Sequence, residues 1–277
     1  MNLHSLRDLL EQGSSSSTAI TVTGGGPRVT YGQLRHQVDH LTAYLKQLGI
    51  GRSDRVAIAL PNGLEVIVSF LAAATAGTAA PLNPAYKLEE FRFYLEDTGS
   101  RALIVPARGA DVARAAAGDR AIIIEVEMDS EGGIRFSAEP SKSAVASNLP
   151  ALFDIALVLH TSGTTSRPKR VPLSHANLLT SARTVAETYR LTPEDVSLCV
   201  MPLFHVHGLV ASTLATLYSG GTVAVAPRFN PLSFFAARRG EVITTHHDVL
   251  RRRDDRVAVR GAEDVVGRHH QHARFNL

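Results

Sequence analysis

Apolar residues recur along this chain in two rhythms, one helical and one alternating. Leu3, Leu6, Leu9 and Leu10 stand at helical spacing, and Gly13 to Ser17 interrupt them, which predicts a short N-terminal helix. Two extended runs follow, Ala19–Thr23 and Arg28–Tyr31, separated by Gly24-Gly25-Gly26-Pro27. Leu34, Val38, Leu41, Leu45 and Leu48 then share one helical face. Thr30 and Gln33 form a capping box ahead of them, and Gly49 closes the helix. From there the pattern predicts strand 55–60, helix 64–76, strand 78–82, helix 88–98, and strands 102–105 and 121–126 with an alanine-rich helix between. Residues 137–150 read as a surface connection. Strand 155–159, a polar loop, a helix from near Ser174, strand 196–200, helix 209–218 and strand 222–226 complete the pattern. Such alternation predicts the α/β class, with mostly parallel sheets, helices on their faces and ligands at the C-terminal ends of strands. The expected organisation is a first α/β subdomain over 1–150, a partial second one over 151–235, and a tail over 236–277.

Composition adds bounds. The 277 residues are 44% hydrophobic and 20% charged, as in a globular protein with a sizeable core. The single cysteine, Cys199, excludes an intramolecular disulfide framework; in the apolar run 196–200 it reads as a buried, inert thiol. Arg7, Asp8 and Glu11 break up the N-terminal apolar residues, so no secretory signal is expected there. One long uncharged stretch, Val66 to Tyr86, is diluted by Ala, Thr and Gly and carries Pro81 and Pro84. It reads as a buried helix and strand, not a transmembrane segment. The expectation is a cytoplasmic protein.

Charge is divided unevenly. Residues 236–277 hold nine arginines, no lysine and six acidic residues, so the formal net charge of +3 belongs to this tail and the body is neutral. Six acidic residues, and no aromatic but Phe275, argue against nucleic acid as a partner. The histidines at 246–247 and 269–272 lack convincing metal spacing. The preferred reading is an out-of-frame translation of GC-rich coding DNA.

Candidate chemistry concentrates in Thr161-Ser162-Gly163-Thr164-Thr165-Ser166-Arg167-Pro168-Lys169, directly after the apolar run Ile155–Leu159. A glycine permits close backbone approach, successive N–H groups can form an anion nest, hydroxyls donate further hydrogen bonds, and a lysine supplies a point charge. The bland alternative is a polar connector. The Walker pattern does not fit, because Pro168 precedes Lys169 and Arg170 follows it.

Four segments in order resemble the adenylate-forming acyl-CoA synthetases, the AMP-dependent synthetases and ligases. They are Thr30-Tyr31-Gly32-Gln33-Leu34; Ala76-Gly77-Thr78-Ala79-Ala80-Pro81-Leu82-Asn83-Pro84; the loop Thr161–Lys169; and Met201-Pro202-Leu203-Phe204-His205-Val206-His207-Gly208. The resemblance covers residues 3–235. The string His160 to Leu173 is similar to the branch of oxalate–CoA ligases and 4-coumarate–CoA-ligase-like enzymes, which includes bacterial fatty-acid–CoA ligases.

The resemblance implies the adenylate-forming fold and a two-step reaction. A carboxylate attacks the α-phosphorus of ATP, with Mg2+, and expels pyrophosphate; the thiol of coenzyme A then displaces AMP. It assigns Thr161, Ser162, Gly163, Thr164, Thr165 and Lys169 to the phosphates. His205 would stand beside the entering carboxylic acid, unless it is a core histidine or pairs with His207 on a metal. No metal ligands are expected. Tyr31 and Leu34 read as packing residues. Ser166 and Arg170 depart from the family's glycines. The family's later Tyr-Gly-x-Thr-Glu motif, ribose-binding Asp and C-terminal lysine are not found in these 277 residues. The expectation is therefore a truncated N-terminal region, weakly active or inactive by itself. The alternative is a non-catalytic ATP-binding or interaction fragment.

Overall fold

Residues 3–138, 149–161 and 168–227 are described by the structure, a computed structural model, together with the backbone of Thr245 and His246. A 3₁₀ helix, Leu6–Glu11, opens the chain and buries Leu6, Leu9 and Leu10. Then come β1 (Thr18–Val22) and β2 (Arg28–Thr30), antiparallel to each other, and α1 (Tyr31–Gln47). The capping box forms as the sequence predicts. The Gln33 N–H donates to Thr30 Oγ1 at 3.2 Å, and the Thr30 N–H donates to Gln33 Oε1 at 2.8 Å.

The next elements are β3 (Arg55–Ile58), α2 (Leu64–Ala76), β4 (Thr78–Pro81), α3 (Leu88–Thr98), β5 (Ser100–Pro106), α4 (Asp111–Ala117), β6 (Ile122–Met128) and β7 (Ile134–Ala138). After residue 148 come β8 (Ile155–Thr161), β9 (Lys169–Ser174), α5 (His175–Tyr189), β10 (Val196–Cys199), the π-helix His207–Leu214, α6 (Ala215–Tyr218), β11 (Thr222–Val225) and β12 (Thr245–His246).

Two sheets result. One runs β7-β6-β5-β3-β4-β8-β9 and the other β12-β10-β11-β1-β2. Interior pairings are parallel; the antiparallel partners β2, β7 and β9 sit at sheet edges. Each sheet draws strands from both sides of residue 150: β8 lies beside β4, and β1 beside β11.

Strand alternation decides which face meets which layer. Val56, Ile58, Ala102 and Ile104 join the main core, while their neighbours Ala57, Ala59, Leu103 and Val105 pack under α3 and α4 with Phe91 and Leu95. Every residue of α2 except Glu65 is buried, as expected of a helix that is apolar all round. The uncharged stretch 66–86 thus forms a buried helix and the buried strand β4. No helix among the described residues is long and apolar enough to cross a membrane.

Three elements differ from the sequence-based expectation. The segment before residue 150 begins with β7, paired to β6 along five residues. The helix near 209–218 starts as a π-helix. A strand, β9, stands between the polar loop and α5, whose N-cap is Ser174 as expected.

His175, at the start of α5, ties that helix to the chain's beginning: the Leu6 N–H donates to its Nδ1 at 3.1 Å. The imidazole is fully buried, and desolvation pushes its pKa down to about 4. Tyr31 is buried too, with its hydroxyl donating to the Gly221 carbonyl at 2.8 Å; it and Leu34 are packing residues. Cys199 is buried, and burial pushes its thiol above the usual range, so it is an inert core residue.

Candidate functional site at the strand C-terminal ends

The polar loop closes a hairpin. β8 and β9 pair antiparallel from Ile155↔Ser174 to Thr161↔Lys169, and that last pair is the mouth of the loop. Thr161 Oγ1 donates to the Lys169 carbonyl at 3.5 Å, and both residues are exposed. Ser162, Gly163, Thr164 and Thr165 lie outside the described residues. The expected strand–loop–helix order is corrected here to strand–loop–strand. Among the described residues, the loop is followed by β9 and not by a helix N-terminus.

The second motif segment follows β10. Leu203 is fully buried and anchors it, whereas His205 is exposed, with its ring centroid 4.4 Å from that of Phe204. His205 is therefore no core histidine. Its N–H donates to the Pro202 carbonyl and its carbonyl accepts from the Leu209 N–H, each at 3.1 Å, so the turn leads straight into the π-helix. Gly208 makes that entry possible: a Cβ there would stand 2.6 Å from the Pro202 carbonyl oxygen.

Asn62, missed at the level of sequence, joins the two motif-bearing sheets. It follows the C-terminal end of β3, donates through Nδ2 to the Met201 carbonyl at 3.1 Å, and accepts the Leu203 N–H on Oδ1 at 2.9 Å. Its only sequence signal is the Asn62-Gly63 pair after a strand. β8 lies two strands from β3 in the same sheet, about 10 Å at the usual strand spacing. The loop mouth and the His205 segment therefore share the C-terminal edge of the parallel strands, where this architecture places ligands.

Arg170 does not accompany Lys169. The pleat turns neighbouring side chains to opposite faces. The Arg170 guanidinium donates to the carbonyl of Asp97, in the last turn of α3. Asp97 also bonds the other arm of the hairpin: its Oδ2 is 2.9 Å from His160 Nε2.

Two surface clefts of about 520 and 510 Å³ lie along α3 and α4. The second opens by Asp54, Ser100 and Ala121, at the N-terminal ends of β3, β5 and β6, the opposite end of the sheet from the mouth of the Thr161–Lys169 loop. Among the described residues no group of three or more His, Cys, Asp or Glu side chains could hold a metal ion. Thr161 and Lys169 suit a phosphate by chemistry: an exposed hydroxyl and an ammonium at one loop mouth.

An α/β protein with a polar, lysine-bearing loop at the C-terminal end of a parallel strand has that loop where α/β architectures place ligands. Residues 10–247 match the family described as AMP-binding enzyme, and the chain belongs to that family. The matched span runs past Phe235, where the motif resemblance ends, and takes in the two-residue strand β12, which pairs parallel with β10.

Over 232 residues the chain is 42% identical to the probable CoA ligase CCL9 of Humulus lupulus, covering 80% of this chain and 44% of that protein. It is 38% identical over 254 residues to the oxalate–CoA ligase of Saccharomyces cerevisiae, covering 80% and 47%. Among solved structures it resembles apo MatB from Rhodopseudomonas palustris, with a TM-score of 0.73, 28% identity, and coverage of 86% of this chain and 48% of that one. ATP-bound MatB from the same organism matches with a TM-score of 0.72 and 27% identity, over 86% and 48%. The chain spans just under half the length of the curated relatives it matches.

Proposed function

We propose that this chain carries the phosphate-gripping part of an ATP-dependent acyl-CoA ligase. The observation that carries the reading is the hairpin mouth Thr161/Lys169 at the C-terminal end of β8, inside a span that matches the AMP-binding enzyme family. Residues 161–165 and Lys169 would hold the β- and γ-phosphates of ATP, and His205 would face the entering carboxylate. The carboxylate oxygen forms a bond to the α-phosphorus as the bond to pyrophosphate breaks. The thiol sulfur of coenzyme A, losing its proton, then takes the acyl group, and AMP leaves. Positioning and charge neutralisation supply most of the catalysis in such steps.

Magnesium would screen the phosphates when bound. The two CoA-ligase relatives support a carboxylic acid substrate, a class that includes fatty acids. The 277 residues alone are proposed to bind ATP and to turn over weakly. ATP–pyrophosphate exchange over a panel of fatty, aromatic and dicarboxylic acids tests this. Expected is ATP binding with little exchange. Robust exchange abolished by Lys169→Ala would overturn the weak-turnover part, and absence of ATP binding would overturn the whole.

A further inference from the structure

The candidate loop is held at its base by a residue 60 or more positions away, and that contact has a chemistry of its own. His160 and Arg170 are register partners, the pair immediately before the mouth pair Thr161 and Lys169. Both reach the same residue of α3. His160 Nε2 bonds the Asp97 carboxylate at 2.9 Å, and the Arg170 guanidinium donates to the Asp97 carbonyl.

The two bonds have different reasons to exist. Carbonyls of a helix's last turn lack intrahelical partners, and a cation is favoured there; Arg170 meets both needs. The His160 side chain is only 7% exposed, so its ring N–H needs an acceptor, and the Asp97 carboxylate, 36% exposed, supplies one. The ring is fixed from its other side as well: Tyr94 meets it edge-on at 4.6 Å, and Tyr94 stacks on Tyr86 at 4.7 Å. One residue of α3 thus holds one residue from each arm of the hairpin, a single step below the loop.

We propose that Asp97 is a positioning residue that clamps the two arms of the loop hairpin to α3, and so presets the loop for a polyphosphate. The clamp stands on the contacts; its effect on ATP rests on the function proposed above. The arrangement also gives a role to Arg170, the residue that departs from the family's glycine. It is a strut against α3, not an extra charge on the phosphates.

The test measures amide hydrogen exchange over residues 155–174 in the nucleotide-free 277-residue chain, and ATP affinity by calorimetric titration. Asp97→Ala, and His160→Phe, which keeps a ring against Tyr94 but has no N–H, are expected to speed exchange near the hairpin mouth about tenfold, as loss of a charge-assisted hydrogen bond on a buried donor should. Exchange in α1 and α2 should stay unchanged. His160→Gln, with an amide N–H near the Nε2 position, should restore most of the protection, which a purely volume-filling role for His160 would not give. Arg170→Ala alters an exposed residue, so it keeps the test open if the His160 variants fail to fold; it should speed exchange by a smaller factor.

ATP affinity should fall about five- to tenfold in Asp97→Ala, as expected when preorganisation is lost. Unchanged hairpin exchange in both Asp97→Ala and Arg170→Ala would overturn the clamp. Faster exchange with unchanged ATP affinity would overturn the presetting of the loop. Failure of the unmodified chain to bind ATP would sink the functional reading, while exchange alone would still decide the clamp.

Discussion

Acid should weaken this fold through one identifiable side chain, His175. Its Nδ1 accepts the Leu6 N–H at 3.1 Å, so protonation would set a donor against a donor in a fully buried site. The ring accordingly titrates near pH 4, against 6.5 for a free imidazole. The unfolded chain therefore takes up the proton first. The contribution to stability is complete above pH 6.5, shrinks as the pH falls, and levels off near pH 4. A difference of about 2.5 units is worth about 3 kcal/mol at 1.36 kcal/mol per unit, a substantial part of the margin of an ordinary domain. Urea denaturation at a series of pH values from 7.5 to 4 measures it. His175→Asn is the matched control, since its carboxamide oxygen can accept the Leu6 N–H and does not titrate. Carboxylates titrate in both proteins, so the difference between the two curves isolates His175. The unmodified chain should lose about 3 kcal/mol more than the variant over this window. Parallel curves would refute the reasoning.

Three further perturbations follow from particular contacts. Asn62→Ala removes both bonds to the Met201–Leu203 backbone and should cost about 1–2 kcal/mol in urea denaturation. Gly77→Ala would set a Cβ 2.6 Å from the Asp54 carbonyl oxygen and 2.7 Å from that of Gly51, both backbone atoms; about 1–3 kcal/mol of destabilisation is expected by the same measurement. Thr30→Ala loses the cap of α1 and should cost about 1 kcal/mol, visible as a lowered denaturation midpoint.

How much of this was legible depended on how local each signal is. α2 and α3 appear over the predicted residues because glycines bracket one and Gly99, in the left-handed region at φ 56°, stops the other. Cys199 was readable as core because its neighbours are apolar, and Tyr31 because it heads the amphipathic helix that carries Leu34 and Val38. β9 was hidden by its own composition: Lys169-Arg170-Val171-Pro172-Leu173-Ser174 carries two charges and a proline, which only an edge strand tolerates. The start of the π-helix was hidden because its residues are those of an ordinary helix. The site's base was hidden by distance along the chain. Nothing near Asp97 announces His160, 63 residues on, and nothing near Asn62 announces Met201, 139 residues on. The motif residues Thr161, Lys169 and His205 were legible as types, but not the hairpin or the asparagine that position them.

The central claim is that the Thr161–Lys169 hairpin grips the phosphates of ATP. Calorimetric titration of the 277-residue chain with ATP, beside Lys169→Ala, tests it most directly. Lys169 is exposed in this fold, so its replacement leaves the core untouched. Saturable binding that weakens at least about tenfold in Lys169→Ala is predicted, the loss expected for one charge-assisted phosphate contact. No binding, or equal binding by both proteins, would contradict the account.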